Sequence, residues 1–171
     1  NNSSGTRSVL YGKTIDHVLA QEVVLSDGST ARLGPLSGSE LDGICAGTTL
    51  EAACYRTVRR IASEQAGEID RRFPKVLRRV GGYNLDEFIK VGQPFNLARM
   101  MVGSEGTLGV VLDATLNLVP LPAAKAVLVI QFGDLLESLA AAPLIPRHGP
   151  SAVEVMARFI LDDTKQNVAL H

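Results

Sequence analysis

Met101-Val102-Gly103-Ser104-Glu105-Gly106-Thr107-Leu108-Gly109-Val110-Val111 sets three glycines directly before an apolar run with strand-like alternation. Glycines at 103, 106 and 109 allow positive φ and leave main-chain N–H groups uncovered, while Ser104 and Thr107 add hydroxyls. Such a loop can wrap a phosphate or another polar ligand. The plainer alternative is a glycine-rich opening of a hairpin with nothing bound. After the loop, Val110, Leu112, Ala114, Leu116 and Leu118 alternate with Val111, Asp113, Thr115 and Asn117. A period of two over that length predicts a strand, and a buried face on it would hold the loop on a rigid edge.

Upstream, Val18 to Leu25 is rich in β-branched residues and meets Ser26-Asp27-Gly28 before Ser29 to Leu33 continues. Asp-Gly is a strong two-residue turn signal, so a β-hairpin is expected. Thr48 and Glu51 are spaced for a capping box, with Leu50, Cys54, Val58 and Ile61 as one apolar face and Gly67 closing the helix. A shorter helix carrying Ile69 and Phe73 should end at Pro74, which cannot donate to a helical ladder. Arg71, Arg72, Lys75, Arg78 and Arg79 make this part locally basic, as a solvated face or as an attraction for an anion.

Pro120-Leu121-Pro122-Ala123-Ala124 stiffens a connector and marks a domain boundary, dividing the chain into 1–119, a linker at 120–124, and 125–171. Beyond it the sequence predicts a buried strand over Ala126 to Phe132, then a short helix capped by Asp134 and Glu137. A strand near Ala152 to Val155 and a final helix from Met156 or Ala157 complete a β-α-β pattern.

At 171 residues and 46% apolar composition the chain can bury a core, and a net charge of −1 with few aromatics excludes the usual nucleic-acid stripe. No apolar run approaches the ~20 residues that span a bilayer, so a soluble, cytoplasmic protein is expected. Cys45 and Cys54 lack zinc or thioredoxin spacing, and His17, His148 and His171 are scattered, so no metal site is expected. Glu22 and Glu154 sit in apolar stretches that one wet strand face explains, and no general base is nominated.

Three segments, in order, carry a family likeness. Gly103-Ser104-Glu105-Gly106-Thr107-Leu108-Gly109 with its β-run resembles the second flavin-contacting segment of the FAD-linked oxidases related to vanillyl-alcohol oxidase and D-lactate dehydrogenase. Asn1-Asn2-Ser3-Ser4-Gly5-Thr6-Arg7-Ser8, with Tyr11 to Asp16 after it, resembles that family's earlier segment. Arg79-Val80-Gly81-Gly82-Tyr83-Asn84-Leu85 resembles its Thr-Gly-Tyr-Asp/Asn-Leu element.

The resemblance implies an α+β fold: the second lobe of a PCMH-type FAD-binding domain, an antiparallel sheet with flanking helices, plus the start of a ferredoxin-like substrate or cap domain. It also implies a fragment of a larger enzyme, with a pyrophosphate-binding lobe before Asn1 and the substrate domain running past His171. FAD contacts carry over to Asn1, Asn2, Ser3, Ser4, Gly5 and Thr6, which alone read as a polar terminus, and to Gly103, Ser104, Glu105, Gly106, Thr107, Leu108, Gly109, Val110 and Val111. Tyr83 and Asn84 become substrate-side candidates, Tyr83 reading equally well as a half-buried core residue.

The implied chemistry is oxidation of a D-2-hydroxy acid, of the D-lactate, glycolate or D-2-hydroxyglutarate class, by hydride transfer to flavin. The wording around Arg79 is most like large bacterial members that join the oxidase to an iron–sulfur region, one candidate electron acceptor. The alternatives are a nucleotide-binding or scaffold module, and a non-redox flavoenzyme of the alkylglycerone-phosphate-synthase type.

Overall fold

The computed structural model describes residues 1–166; His171 and the end of the expected 125–171 segment lie outside the described residues. In chain order the elements begin with α1 (Ser8–Tyr11), α2 (Thr14–His17), β1 (Val18–Val24), β2 (Thr30–Leu33), β3 (Pro35–Leu36), α3 (Gly38–Cys45), α4 (Leu50–Glu64) and α5 (Ala66–Arg72). A 3-10 turn at Leu85–Phe88 leads to β4 (Phe95–Asn96), α6 (Ala98–Met101) and β5 (Val110–Leu116). Then come α7 (Leu135–Ala141), a second 3-10 turn at Ile145–His148, and α8 (Arg158–Gln166). The fold is α+β with antiparallel pairing throughout the described strands. It divides into two compact units, Asn1–Ser4 with Gly12–Val119, and Gly5–Tyr11 with the chain from Pro120 on.

In the first unit β1 is the middle strand of the order β2-β1-β5. The hairpin forms as expected, with Val24 opposite Thr30, but its turn is longer than two residues. Gly28 N–H donates to Leu25 C=O and Leu25 N–H to Ser29 C=O, and only Gly28 has positive φ. Asp27 does not need it, because its carboxylate accepts from the Ser29 N–H and hydroxyl and pins the turn from the side. Those bonds hold the Asp27 carboxyl below its ordinary range.

Helix α4 starts one residue later than expected. Thr49, not Thr48, is the N-cap and accepts from Ala52 N–H at 3.2 Å, so Glu51 is not part of a capping box. Its buried stripe is Ala52, Tyr55, Val58 and Ala62, with Leu50 and Cys54 packed at its margin. Gly67 does not end α4; the break falls at Gln65, whose non-helical backbone starts α5 and leaves Gly67 inside that helix. Helix α3 has no counterpart among the expectations, although Ser37 and Glu40 form a reciprocal capping box at its start. The Arg56 guanidinium donates to the Cys45 and Gly47 carbonyls at its far end, tying α3 to α4.

The core gathers Ile15, Val18, Val23, Leu25, Ala31 and Leu33 from the sheet side with Leu41, Tyr55 and Val58 from the helices. The Tyr55 ring lies 6.0 Å from Phe95, which lies 4.9 Å from Phe88. Each large side chain fully buried here contributes about 1.5–3 kcal/mol. Helix α6 is buried almost entirely, since Leu97, Ala98, Met100, Met101 and Val102 all enter this core. Asn96 stitches it to the sheet by donating to Leu19 C=O and accepting from Ala98 N–H.

β5 forms where the alternation predicts it, paired with β1 from Val24 opposite Val110 to Val18 opposite Leu116. The expected buried face is not found: all its residues are exposed, because the strand lies at the sheet edge and none of the described residues covers either side.

In the second unit α7 begins as expected at Asp134, which accepts from Glu137 N–H at 2.8 Å. The strands expected over Ala126 to Phe132 and Ala152 to Val155 are not formed. Those runs have the right side chains but, among the described residues, no neighbouring strand to take their N–H and C=O groups, and Val127, Leu128 and Val129 remain exposed. Glu154 is therefore an exposed loop residue rather than a strand position.

Candidate functional site

The first unit brings parts of all three motif segments to one place. A Cβ added to Gly103 would lie 3.3 Å from Asn2 Cβ, 3.4 Å from the Gly82 carbonyl oxygen and 3.7 Å from Asn84 Nδ2. Gly103 has φ +87, so both the space and the backbone there demand glycine. Asn2 is buried; its Oδ1 accepts from Ile15 N–H at 3.1 Å, while its Nδ2 is buried with no partner. Ser3 joins Thr14 through main chain and hydroxyl, which fixes the Asn1–Ser4 strip against α2. Gly5 and Thr6 group with the other unit.

After Gly103 the chain makes a tight turn. Thr107 N–H donates to Ser104 C=O at 3.0 Å, and the two residues between, Glu105 at φ +53 and Gly106 at φ +80, are both left-handed. Glu105 is the one non-glycine with positive φ among the described residues, a conformation costing about 1–2 kcal/mol. The N–H groups of Glu105 and Gly106 have no acceptor among the described residues, and a Cβ at Gly106 would meet nothing within 4 Å. The turn therefore presents two main-chain donors into open space, the arrangement that takes an oxygen-rich ligand. Gly109 differs: a Cβ there would fall 2.7 Å from the Val24 carbonyl oxygen, so that glycine admits the neighbouring strand. Leu108 is half-buried, and Val110 and Val111 lie exposed at the start of β5.

Tyr83 and Asn84 point to different surroundings. Tyr83 is exposed, with its hydroxyl 2.8 Å from Thr107 Oγ1. Asn84 is fully buried: Nδ2 donates to the Val102 and Arg99 carbonyls at 2.5 and 3.0 Å, and Oδ1 accepts from Arg79 at 3.2 Å. Its amide is thus committed to holding main chain. The Arg79 guanidinium also donates to Asp86 at 2.5 Å and lies 5.0 Å from the centre of the Phe73 ring.

Motif wording did not single out Arg79 as the residue that orients Asn84; the acidic Asp86 seven positions on was the available signal. Of its basic neighbours, Arg71 and Arg72 pair with Glu68, Lys75 with Asp70 and Lys90 with Glu87. Lys13, Lys75, Arg79 and Lys90 line, with Asp70, Asp86 and Glu87, an open cleft of about 410 Å³ whose charges are largely paired.

Cys45 and Cys54 are free thiols, and burial, with Asp27 and Glu51 nearby, pushes the Cys54 thiol above its ordinary range, which keeps it protonated and unreactive. Among the described residues no cluster of His, Cys, Asp or Glu could hold a metal ion, and no helix is long and apolar enough to cross a membrane.

No family model matches the chain, and no solved structure matches it. Curated sequences do. Over 169 residues, 99% of this chain, it is 31% identical to a D-2-hydroxyglutarate dehydrogenase of Pseudomonas putida, covering 17% of that protein. It is 28% identical over 167 residues to a D-lactate dehydrogenase of Anaerostipes hadrus, covering 96% of this chain and 24% of the relative. A glycolate oxidase subunit GlcD of Bacillus subtilis is 28% identical over 151 residues, with 85% and 21% covered.

These similarities fit a segment of an FAD-linked oxidase. The chain spans between 17% and 24% of the length of these curated relatives. All three relatives carry the names of 2-hydroxy-acid oxidoreductases, the class that the three motifs resemble. Within this chain the motif residues divide by position: Asn2, Gly103 and Asn84 are buried, while Tyr83 and the Glu105–Gly106 turn are exposed.

Proposed function

We propose that the chain is part of the flavin domain of an FAD-dependent 2-hydroxy-acid dehydrogenase, with residues 125–171 opening its substrate domain. The observation that supports this most is the meeting of Asn2, Gly82, Asn84 and Gly103, which belong to three segments far apart in sequence. The residues fit an FAD. Asn2 Nδ2 is a buried donor without a partner, and burying such a group costs about 1–3 kcal/mol unless something accepts from it. The unsatisfied N–H groups of Glu105 and Gly106 stand beside space that a side chain would otherwise take.

In this reading Asn2 and the Ser104–Thr107 turn would hold the cofactor through neutral donors, and the stiff turn would orient it. When bound, the flavin supplies the redox chemistry, accepting the hydride that leaves the α-carbon of a D-2-hydroxy acid. The chain's own part is preorganisation: Asn84 and Arg79 fix the main chain before Gly103, and β1 fixes it after Gly109. D-2-Hydroxyglutarate, D-lactate and glycolate are the substrate classes to test first.

The full-length enzyme should purify yellow, and its flavin should bleach anaerobically with at least one D-2-hydroxy acid from a panel of chain lengths and charges. A full-length protein that binds no flavin, even after reconstitution, sinks this function.

A further inference from the structure

We propose that Tyr83 and Asn84 act as a two-residue bracket that grips both ends of the glycine loop, and that Tyr83 is a positioning residue for the ligand held there. This rests on the reading of the Ser104–Thr107 turn as a flavin contact. The loop runs from Val102 to Thr107. At its start the Asn84 side chain donates to the Val102 carbonyl at 2.5 Å, directly before the left-handed Gly103. At its end the Tyr83 hydroxyl lies 2.8 Å from Thr107 Oγ1.

The direction of that second bond follows from what Thr107 does next. Its Oγ1 is 2.6 Å from the Ser104 carbonyl oxygen, which can only accept, so the single hydroxyl proton of Thr107 is already committed. Tyr83 must therefore donate to Thr107. The result is a chain of two bonds, Tyr83 to Thr107 to the Ser104 carbonyl, closing over the two left-handed residues Glu105 and Gly106. The Ser104 carbonyl also accepts from Thr107 N–H. A strained conformation of this kind persists when its surroundings over-determine it, and the bracket supplies that determination.

Tyr83 suits the task for a second reason. The residue is 44% exposed, and its hydroxyl is anchored on Thr107. Asn84 is the opposite case, fully buried and itself oriented by Arg79, which Asp86 holds. One end of the bracket is rigid and the other is a surface latch.

The test uses the full-length enzyme with Tyr83→Phe, Thr107→Val, Thr107→Ser and the double variant Tyr83→Phe/Thr107→Val. Amide hydrogen exchange over Gly103 to Gly109 is measured without cofactor, and FAD dissociation constants by flavin fluorescence. Tyr83→Phe and Thr107→Val should each speed exchange at the turn and weaken FAD about fivefold, the equivalent of one neutral hydrogen bond. Thr107→Ser should stay near wild type, and the double variant should be no worse than Thr107→Val alone, because both changes cut the same chain.

Unchanged exchange in Tyr83→Phe overturns the bracket, and if FAD weakens nonetheless, Tyr83 touches the cofactor directly. Faster exchange with unchanged FAD affinity overturns the positioning role. A wild-type enzyme without flavin refutes the proposed function instead, and the exchange data still decide whether the latch exists.

Discussion

Gly109 and Gly106 stand three residues apart, yet alanine should act on them through different forces. At Gly109 the new Cβ would sit 2.7 Å from the Val24 carbonyl oxygen and 3.4 Å from Met101 Cε. A backbone carbonyl cannot swing aside like the end of a flexible side chain, so β1 and β5 must separate by roughly 0.8 Å, given normal contact distances of about 3.5 Å. Val24 opposite Val110 is the last pair of that ladder, and the separation weakens it.

Overpacking of this kind costs about 1–3 kcal/mol and a frayed ladder bond about 1 more, so Gly109→Ala should lose about 2–4 kcal/mol. At Gly106 the space is open and only the φ of +80 resists. That costs about 1–2 kcal/mol, less about 0.4–1 regained from a stiffer unfolded chain. Urea unfolding of the 171-residue chain, followed by far-UV circular dichroism because the sequence has no tryptophan, separates the two. With a slope of about 2 kcal/mol per molar, Gly109→Ala should move the midpoint down by about 1–2 M and Gly106→Ala by about 0.8 M or less. A Gly109→Ala midpoint indistinguishable from wild type, or equal losses at both sites, would refute the argument.

Two further outcomes are expected. Burial, with Glu51 and Cys45 adding to it, pushes the Tyr55 phenol from 10.0 up to about 12, so the folded state holds its proton longer than the unfolded chain. That contribution to stability is complete below pH 10 and lost as the pH rises from 10 through about 12. Tyr55→Phe should flatten this part of a pH–stability curve. Since the Tyr55 hydroxyl is buried without a partner, the variant should match or slightly exceed wild type at neutral pH; a loss above about 1 kcal/mol would show an unseen bond. The isolated chain should fold through β5 yet bind FAD weakly, because the proposed cofactor-binding enzyme is much longer. Submicromolar saturable binding in a fluorescence titration would show a self-contained site.

The sequence made visible what depends on neighbours in the chain. Asp27-Gly28 specified a hairpin, Asp134 a helix start, and the alternation after Gly109 a strand. Where a partner distant in sequence decides, pattern alone went astray. Among the described residues, Ala126 to Phe132 has the propensity of a strand without a strand to pair with, and the even-numbered face of β5 has the apolarity of a core face without a cover. Ser37 and Glu40 carry a helix-start signal in the sequence, but no apolar periodicity follows it.

In the candidate site, the identities of Asn2, Tyr83, Asn84 and Gly103 were visible, but not their facing. That Asn84 turns inward onto Val102 and that Gly109 makes room for Val24 are facts of three-dimensional neighbours that no spacing encodes.

The bare outer edge of β5 also bears on how this polypeptide behaves in a test tube. A strand with its hydrogen-bonding row unclaimed and apolar side chains on both faces is a template for another strand. Across Val110–Leu116 a single charge, Asp113, interrupts that template. Two such edges meeting antiparallel would extend each sheet through the other. Self-association should therefore climb with concentration, making the dilution at which the chain is handled a variable as influential as temperature or denaturant.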